Sequence, residues 1–344
     1  MKKLVFAVVA IILLVASLGV IACAPAAPAG PIELRFNTWV GNEQHPLYVN
    51  IIKPWADEVE QRTSGKVKVT IYLAYGLAPA GTSLDAVQTG VTDISGTSVS
   101  RYPERLHLLG VAGLPMISPT AEKSSRALMD LAEEYPKEYG KTFENIKLLW
   151  AFTNDPSHFY WVSSEPVRTA DDWKGKLVGV RAAEVSFVEG LGGSPHPFNP
   201  ATFYEEMEKK VVDGVTANLA FFKALHMEEV TGSMTLVGYR SNAMAHVMSL
   251  DVYNDLPRDV QKVIDEVSAP MAEKTAAMFD KTAADVLEFL KAEHPDITLY
   301  TLPDAEKAMW SEYAKPTWAE WVAQADALGY PGQEMLDDFI KFVR

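Results

Sequence analysis

The amino-acid sequence predicts an α/β fold of two domains, with a long C-terminal helix that spans both. Three observations support this prediction. Strand-like and helix-like segments alternate from residue 32 onward, which is typical of a wound, mostly parallel sheet. A chain of 344 residues is too long for one simple core. Polar stretches at residues 153–157 and 240–244 interrupt the pattern where a chain is expected to cross between domains.

The first residues predict a secretory leader. Lys2 and Lys3 precede an apolar run over residues 4–16, and Ala22 stands before Cys23, the only cysteine of the chain. This context is typical of a lipoprotein signal, so we expect residues 1–22 to be removed and Cys23 to be acylated. Residues 23–30, rich in Pro and Ala, are then expected to form a tether. A transmembrane anchor is the alternative, because the apolar run is nearly long enough to span a bilayer.

Residues 31–154 predict the first α/β domain. Alternating residues predict strands, and apolar residues at helical spacing predict helices. Strands are expected over residues 32–36, 66–73, 91–97 and 146–152, and helices over residues 46–65, 83–90 and 122–139. The order of strand, helix and strand at the start favours parallel pairing.

Residues 155–242 predict the second domain, which begins with a strand over residues 159–163. An apolar run over residues 177–180 precedes Arg181, and helical spacing then leads to a glycine stop at 192–193. Ligands of open α/β sheets bind beyond the carboxyl ends of strands. A fixed guanidinium at that place is suited to bind a carboxylate, so Arg181 is the first candidate ligand-binding residue. A surface ion pair is the alternative.

The last third of the chain is predominantly helical. Apolar spacing predicts one long helix over residues 257–292, kinked near Pro270, which spans both domains. Two further helices are expected over residues 304–328 and 333–343. Part of residues 243–344 is expected to complete the first domain.

Charge and motifs exclude several classes of function. With 31 basic and 45 acidic side chains, the net charge of −14 argues against nucleic acid as a partner. None of the seven histidines lies three or four residues from another, so neither a metal site nor a cofactor is predicted. The chain lacks GxSxG, HExxH and a phosphate-binding glycine loop, so no catalytic residue is predicted. A secreted hydrolase or lyase that uses two of the many carboxylates is the alternative.

Further candidate ligand-binding residues follow the predicted strands. Trp39 comes just after the first strand, and Ser98 and Arg101 follow the strand that ends near residue 97. Phe198 follows the segment that contains Arg181. Strand ends are where a ligand cleft is expected. The alternatives are ordinary core aromatics and, for the arginine, an exposed charge.

A series of short motifs resembles the extracytoplasmic solute receptors of tripartite ATP-independent periplasmic (TRAP) transporters, the DctP-like family. The motifs, which extend over nearly the whole chain after the leader, are LRF at 34–36, residues 60–69, TGVTDIS at 89–95, DDWKGKLVGVRA at 171–182, GGSPHP at 192–197 and VVDG at 211–214. The resemblance implies a periplasmic binding protein-like fold of class II type and no enzyme activity. It implies that a small organic acid is bound and delivered to integral membrane permease subunits.

The resemblance also assigns roles to residues. In that family an arginine at the position of Arg181 binds the ligand carboxylate through two hydrogen bonds. Trp39, Ser98, Arg101 and Phe198 correspond to positions that line the cleft. An extracytoplasmic location, in the periplasm or on the outer face of the cytoplasmic membrane, is implied. Coupling of the binding protein to an ABC permease or a sensor kinase is an alternative that the sequence leaves open.

Two departures from the family pattern bear on the ligand. His158 stands where a second arginine is often found, which predicts a pH-sensitive contact because histidine changes charge near neutrality. Asn218 follows Thr216 and Ala217 where Glu-Asn is usual after VVDG. Acidic sugars are therefore disfavoured as ligands. Aromatic residues near the expected cleft favour a monocarboxylate with an apolar body over a small dicarboxylate.

Overall fold

The computed structural model describes residues 30–181, 184–197, 199 and 202–344. Cys23, the predicted leader and Phe198 lie outside the described residues. The strands are β1 (Ile32–Asn37), β2 (Val67–Tyr72), β3 (Ile94–Ser98), β4 (Ile146–Thr153), β5 (Ser157–Trp161), β6 (Leu177–Val180), β7 (Ser194–Pro197), β8 (Gly214–Asn218), β9 (Ser233–Leu236), β10 (Ala243–Ser249) and β11 (Thr298–Thr301). The helices are α1 (Lys53–Arg62), α2 (Ser83–Gln88), α3 (Ala121–Glu134), α4 (Pro136–Thr142), α5 (Val185–Gly190), α6 (Phe203–Glu208), α7 (Leu219–Ala224), α8 (Leu250–Asp255), α9 (Arg258–Ser268), α10 (Met271–Glu293), α11 (Asp304–Ala327) and α12 (Gly332–Phe342).

The strands form two sheets. Sheet 1 has the order β2-β1-β3-β10-β4, in which β1 is parallel to β2 and β3 whereas β10 is antiparallel to β3 and β4. Sheet 2 has the order β11-β9-β5-β8-β6-β7, in which β6 is parallel to β7 and β8 and only β5 runs against its neighbours. Two mixed sheets with helices packed on them and a long helix near the C-terminus confirm the predicted α/β fold class.

The chain changes sheets three times. It passes from sheet 1 to sheet 2 between β4 and β5, and returns between β9 and β10. After α10, β11 joins the outer edge of sheet 2 beside β9. The sequence predicts no strand at β11, because its four residues, TLYT, show neither an alternation nor an apolar run. The domain limits 31–154 and 155–242 stay a prediction.

Prolines break two of the predicted helices. The single helix predicted over residues 257–292 is wrong in one respect, because α9 and α10 are separate helices that meet at Pro270. The helix predicted over residues 122–139 ends at Glu134, and Pro136 opens α4. Proline has no amide hydrogen to donate and its ring collides with the preceding turn, so a predicted kink becomes a break.

Helix α10 connects the two sheets. Phe279 stacks on Phe152 of β4 at 6.0 Å, which ties α10 to sheet 1. Further along the helix, Val286 and Leu290 are buried with Tyr160 of sheet 2. One face of α10 therefore packs in both cores.

Candidate ligand-binding site

Strands β6, β7 and β8 end on one side of sheet 2, and two of the predicted site residues, Arg181 and Asn218, lie there. Because these strands are parallel and in register, Arg181 at the end of β6 and Asn218 at the end of β8 lie at the same edge. The side chain of Arg181 is 43% exposed. The edge can therefore present a guanidinium to a solute.

Glu184 lies between Arg181 and a second arginine, Arg240. The Glu184 carboxylate is 1% exposed, and Oε1 lies 3.5 Å from Nη1 of Arg240 and 3.8 Å from Nη1 of Arg181. Its Oε2 accepts a hydrogen bond of 2.8 Å from the backbone N–H of Arg181, and Thr216 donates its hydroxyl to Oε1 at 3.4 Å. The backbone N–H of Glu184 donates to the Arg181 carbonyl at 2.9 Å, which is a second contact between these two residues.

The formal charges of these three side chains sum to a positive value. A carboxylate carries one negative charge, whereas each guanidinium stays protonated in a protein. Burial lowers the pKa of Arg181, the Glu184 charge raises it, and the neighbouring Arg240 charge lowers it again. Because one carboxylate lies between two guanidinium groups, Glu184 alone cannot neutralise the positive charge of Arg181 and Arg240.

Arg240 links the edge of sheet 2 to the neighbouring part of sheet 1. It lies in the return crossing, where its carbonyl accepts from Ser157 N–H at 2.7 Å, and its side chain is 9% exposed. Its Nε donates to the carbonyl of Gly113 at 3.0 Å, at the end of a turn that packs in the sheet 1 core. The guanidinium therefore contacts both parts of the molecule at once.

Ser98, at the end of β3, lies on the sheet 1 side of the same crossing. Its hydroxyl donates to Oδ1 of Asn242 at 3.3 Å and contacts Ser100 at 3.0 Å. Asn242 in turn donates its N–H to Asn154 of the first crossing at 2.7 Å. The two crossings and the end of β3 are thus one hydrogen-bonded unit.

Trp39 and Arg101 also follow strands of sheet 1. Trp39 is half-buried, its ring meets His45 edge-on at 5.1 Å, and its indole N–H is buried without an acceptor among the residues that the structure describes. Arg101 is exposed in the turn after β3, and its charge acts on the hydroxyl of Tyr75. Both lie at the end of sheet 1 where the parallel strands β1 and β3 finish.

Asn218 is engaged in a structural contact. It is 8% exposed, and its Nδ2 donates to Oδ1 of Asp155 at 2.6 Å. Asp155, in the first crossing, also accepts from the N–H of Leu219 at 2.8 Å. Burial raises the pKa of Asp155 to about 6, although these hydrogen bonds oppose the rise. Asn218 therefore ties the strand end to the crossing.

His158 lies apart from the arginine pair. Its Nδ1 accepts from the N–H groups of Val237 and Gly238, both at 3.1 Å. The ring lines a different groove, of about 700 Å³, beside α10 and the start of α3. Burial, with a contribution from the charge of Lys307, lowers the pKa of His158 to about 4. The expected change of charge near neutrality is therefore wrong, because burial keeps the imidazole neutral.

The motifs do not single out Glu184 and Arg240, which complete the cluster. From the sequence, Arg240 is indicated only as part of a predicted crossing between domains, and Glu184 only as an acid three residues after Arg181. Acid and base at that spacing often contact each other, and this signal points to the pair. That Arg240 reaches the same carboxylate depends on the tertiary fold.

The family model for bacterial extracellular solute-binding proteins, family 7 (DctP), matches residues 36–325. The chain belongs to family 7 of the bacterial extracellular solute-binding proteins. Members of this family are binding proteins and not enzymes, in agreement with the prediction from the motifs. In the part of this family 7 protein that the structure describes, no helix is both long enough and apolar enough to cross a bilayer.

This family 7 protein is similar to a curated protein and to two solved solute-binding proteins. It is 26% identical to the outer membrane transporter protein TsaT of Comamonas testosteroni over 305 residues, a match that covers 86% of this chain and 87% of TsaT. A TRAP periplasmic solute-binding protein from Desulfovibrio salexigens is 28% identical and superposes with a TM-score of 0.84, over 91% of this chain and 96% of that one. A TRAP solute-binding protein from Rhodoferax ferrireducens, solved with copurified benzoate, is 21% identical with a TM-score of 0.74, over 91% and 97% of the two chains.

Proposed function

We propose that this family 7 protein is the extracytoplasmic receptor of a TRAP transporter, and that Arg181 binds the carboxylate of a small organic acid. One observation carries the proposal: Arg181 lies at the strand edge beside Arg240, with the single acid Glu184 between them. Such a cluster is attractive to an anion, even though the chain as a whole has a net charge of −14.

Closure of the two lobes would strengthen the contact. Arg181 is still 43% exposed, so water reaches its side chain in this conformation, although the surrounding protein already lowers its pKa. When the lobes close over a ligand, water leaves and the effective dielectric falls, so the same ion pair gains energy. A guanidinium also donates two parallel hydrogen bonds to a carboxylate, which fixes the orientation of the ligand. Trp39 and Ser98, at strand ends of sheet 1, are proposed to contact the rest of the molecule.

A monocarboxylate with an apolar or aromatic body is the proposed ligand class. The half-buried ring of Trp39 supplies an apolar wall, and its buried indole N–H can donate to a hydroxyl or carbonyl of a ligand. Solved proteins of this fold hold 3-hydroxybenzoate, mandelate and benzoate, whereas others hold galacturonate. The first group agrees with the apolar wall that Trp39 supplies.

Calorimetric titration tests the ligand class. The purified protein is titrated with benzoate, 3-hydroxybenzoate, mandelate, succinate and galacturonate, each beside its primary amide where that exists. Binding of aromatic acids, without binding of benzamide, is the expected result, because the amide lacks the charge that Arg181 pairs with. Mass spectrometry of the compound that copurifies should return an unmodified acid. Equal binding of benzamide and benzoate would overturn the role of charge, and tighter binding of galacturonate would overturn the class.

We further propose that Cys23 is acylated and tethers the receptor beside its permease. The lipobox-like context of Cys23 supports this, together with the Pro- and Ala-rich segment up to residue 30. Detergent partitioning and mass spectrometry of the N-terminal peptide from a native host test the proposal. The wild type is expected in the detergent phase with a lipid-modified peptide, and Cys23→Ala in the aqueous phase. An unmodified Cys23 in the mature protein contradicts it. Copurification with small and large integral membrane subunits tests the partner.

A further inference from the structure

We propose that Arg240 is a positioning residue for ligand capture, which acts on Arg181 through their shared acid. This inference rests on the proposed function, since it concerns how Arg181 binds a carboxylate. Arg240 shares the Glu184 carboxylate with Arg181, so that the acid is not available to Arg181 alone. The observation behind it is the placement of one buried carboxylate oxygen, Oε1, at 3.5 Å from Arg240 and 3.8 Å from Arg181.

The burial of Glu184 makes its partner necessary. A carboxylate that is 1% exposed needs hydrogen bonds and a counter-charge to remain ionised at low cost. Its neutral donors are the backbone N–H of Arg181 and the hydroxyl of Thr216. Arg240 and Arg181 supply the positive charge. If Arg240 is replaced by a neutral residue, the side chain of Arg181 becomes the principal counter-charge for the acid.

Arg240 is held rigidly enough for this role. Its backbone carbonyl accepts from Ser157, and the preceding residue, Tyr239, both donates to Ser157 and accepts from Met116 at 2.6 Å. Its Nε is engaged by the Gly113 carbonyl at 3.0 Å. With Nε and the backbone fixed, Nη1 is directed at Glu184 without loss of much rotamer freedom on binding. Arg181, by contrast, is 43% exposed and can adjust to a ligand.

The same geometry couples capture to closure of the lobes. Gly113 belongs to the sheet 1 side, whereas Glu184 belongs to sheet 2, so Arg240 contacts both. A ligand carboxylate that binds Arg181 repels Glu184 and shifts that acid toward Arg240. The shift strengthens the contact between Glu184 and Arg240, which bridges the sheets, so anion binding favours a fixed relation between them.

Variants that remove the charge of Arg240, of Glu184 or of both test the proposal. Benzoate, 3-hydroxybenzoate and mandelate are titrated into the wild type, Arg240→Gln, Glu184→Gln and the double variant Glu184→Gln/Arg240→Gln. We expect Arg240→Gln to weaken acid binding about tenfold, because Glu184 then pairs with Arg181. The double variant should return to within about threefold of the wild type, since no acid remains to neutralise Arg181. Glutamine keeps an oxygen that can accept from the Arg181 N–H.

A purely structural role for Arg240 gives the opposite pattern. In that case the double variant, which loses both the bridge and its buried acid, binds no better than Arg240→Gln, and the proposal is overturned. Unaltered binding in Arg240→Gln overturns it as well. Thr235→Val is the matched control for general weakening of sheet 2, because Thr235 is buried and hydrogen-bonded but carries no charge. We expect this variant to lose stability and to keep its affinity within about twofold.

A measurement without ligand separates failure of this proposal from failure of the proposed function. Urea midpoints of Arg181→Gln, Glu184→Gln and their combination give the coupling between positions 181 and 184. We expect that coupling to be larger in the Arg240→Gln background than in the wild type. Equal coupling in both backgrounds overturns the proposal. If the wild type binds none of the acids while the coupling rises as expected, the proposed ligand class fails and the role of Arg240 stands.

Discussion

Removal of the Arg181 guanidinium is the most direct test of the site. The side chain is 43% exposed before closure, lies 3.8 Å from Glu184, and stands at the carboxyl end of β6. In the closed complex we expect it to form two charge-assisted hydrogen bonds to the ligand carboxylate. Arg181→Ala removes both bonds, and Arg181→Lys keeps the charge but not the planar fork.

The magnitude follows from the exposure. Truncating one member of a desolvated, hydrogen-bonded ion pair costs about 2–5 kcal/mol. Because Arg181 starts from a partly hydrated state and already interacts with Glu184, the lower half of that range applies. We therefore expect Arg181→Ala to lose about 3 kcal/mol, which is roughly a hundredfold rise in Kd. Arg181→Lys should lose roughly tenfold.

Isothermal titration of the tightest-binding acid from the panel measures these changes. Arg62→Ala is the matched control, because Arg62, the last residue of α1, has a similar exposure of 37% and pairs with Glu58 and Glu266. Its Kd should stay within about twofold of the wild type. If Arg181→Ala keeps the wild-type Kd within about threefold and unfolds at the same urea concentration, the assignment of the carboxylate site to Arg181 is refuted.

Three further predictions concern stability. The folded-state pKa of Asp155 is about 6 against an ordinary 3.8, so protonation of Asp155 stabilises the fold below about pH 4, and this contribution of about 3 kcal/mol is lost as the pH rises through 6. Asp155→Asn should remove this pH dependence from the urea midpoints measured at about pH 4–7, and an unaltered pH dependence would contradict the prediction. The pKa of His158 is about 4 against an ordinary 6.5, so the neutral ring contributes stability above pH 6.5 that is lost as the pH falls through 4. His158→Gln should reduce the loss of unfolding free energy in acid by about 3 kcal/mol. Ligand affinity should stay constant from about pH 5.5 to 8, and a step in that affinity would count against the neutral ring. Asp280 of α10 caps the start of α3, because its carboxylate accepts from two backbone N–H groups there, both at 2.9 Å. Asp280→Ala should therefore lower the unfolding free energy by about 1–2 kcal/mol, and the control Asp285→Ala, at an exposed position, by less than about 0.5 kcal/mol. Equal losses in the two variants would exclude a capping role for Asp280.

Local patterns predicted much of the fold. Strands β1, β2 and β4 appear within about two residues of their expected limits, because each alternates or forms a short apolar run between clear stop signals. The prolines at 136 and 270 were more disruptive than expected, since spacing of apolar residues continues across a break whether or not the hydrogen bonds do. Strand β11 is held by its neighbour β9 and not by its own four residues, so only the tertiary structure shows it.

The candidate site was only partly predictable. Arg181 stands next to a strand end, which is a local feature and can be read from the sequence. The burial of His158 is not local, because its pKa depends on how Val237, Gly238 and Lys307 pack around it. Arg240 lies 56 positions after Glu184 in the chain, and no local pattern in either segment predicts a contact between the two residues. Contacts of that kind depend on how the sheets assemble.

The position of β10 has a consequence for the order in which the protein forms during synthesis. This strand fills the gap between β3 and β4, yet it leaves the ribosome after all of residues 155–242. Sheet 1 therefore cannot be complete until residue 249 has been made, whereas most of sheet 2 is already available to pair. A fragment that stops at residue 154 would leave the edges of β3 and β4 unpaired, and such exposed edges invite aggregation. A nascent chain that must cross a membrane before it folds gains time from this late closure.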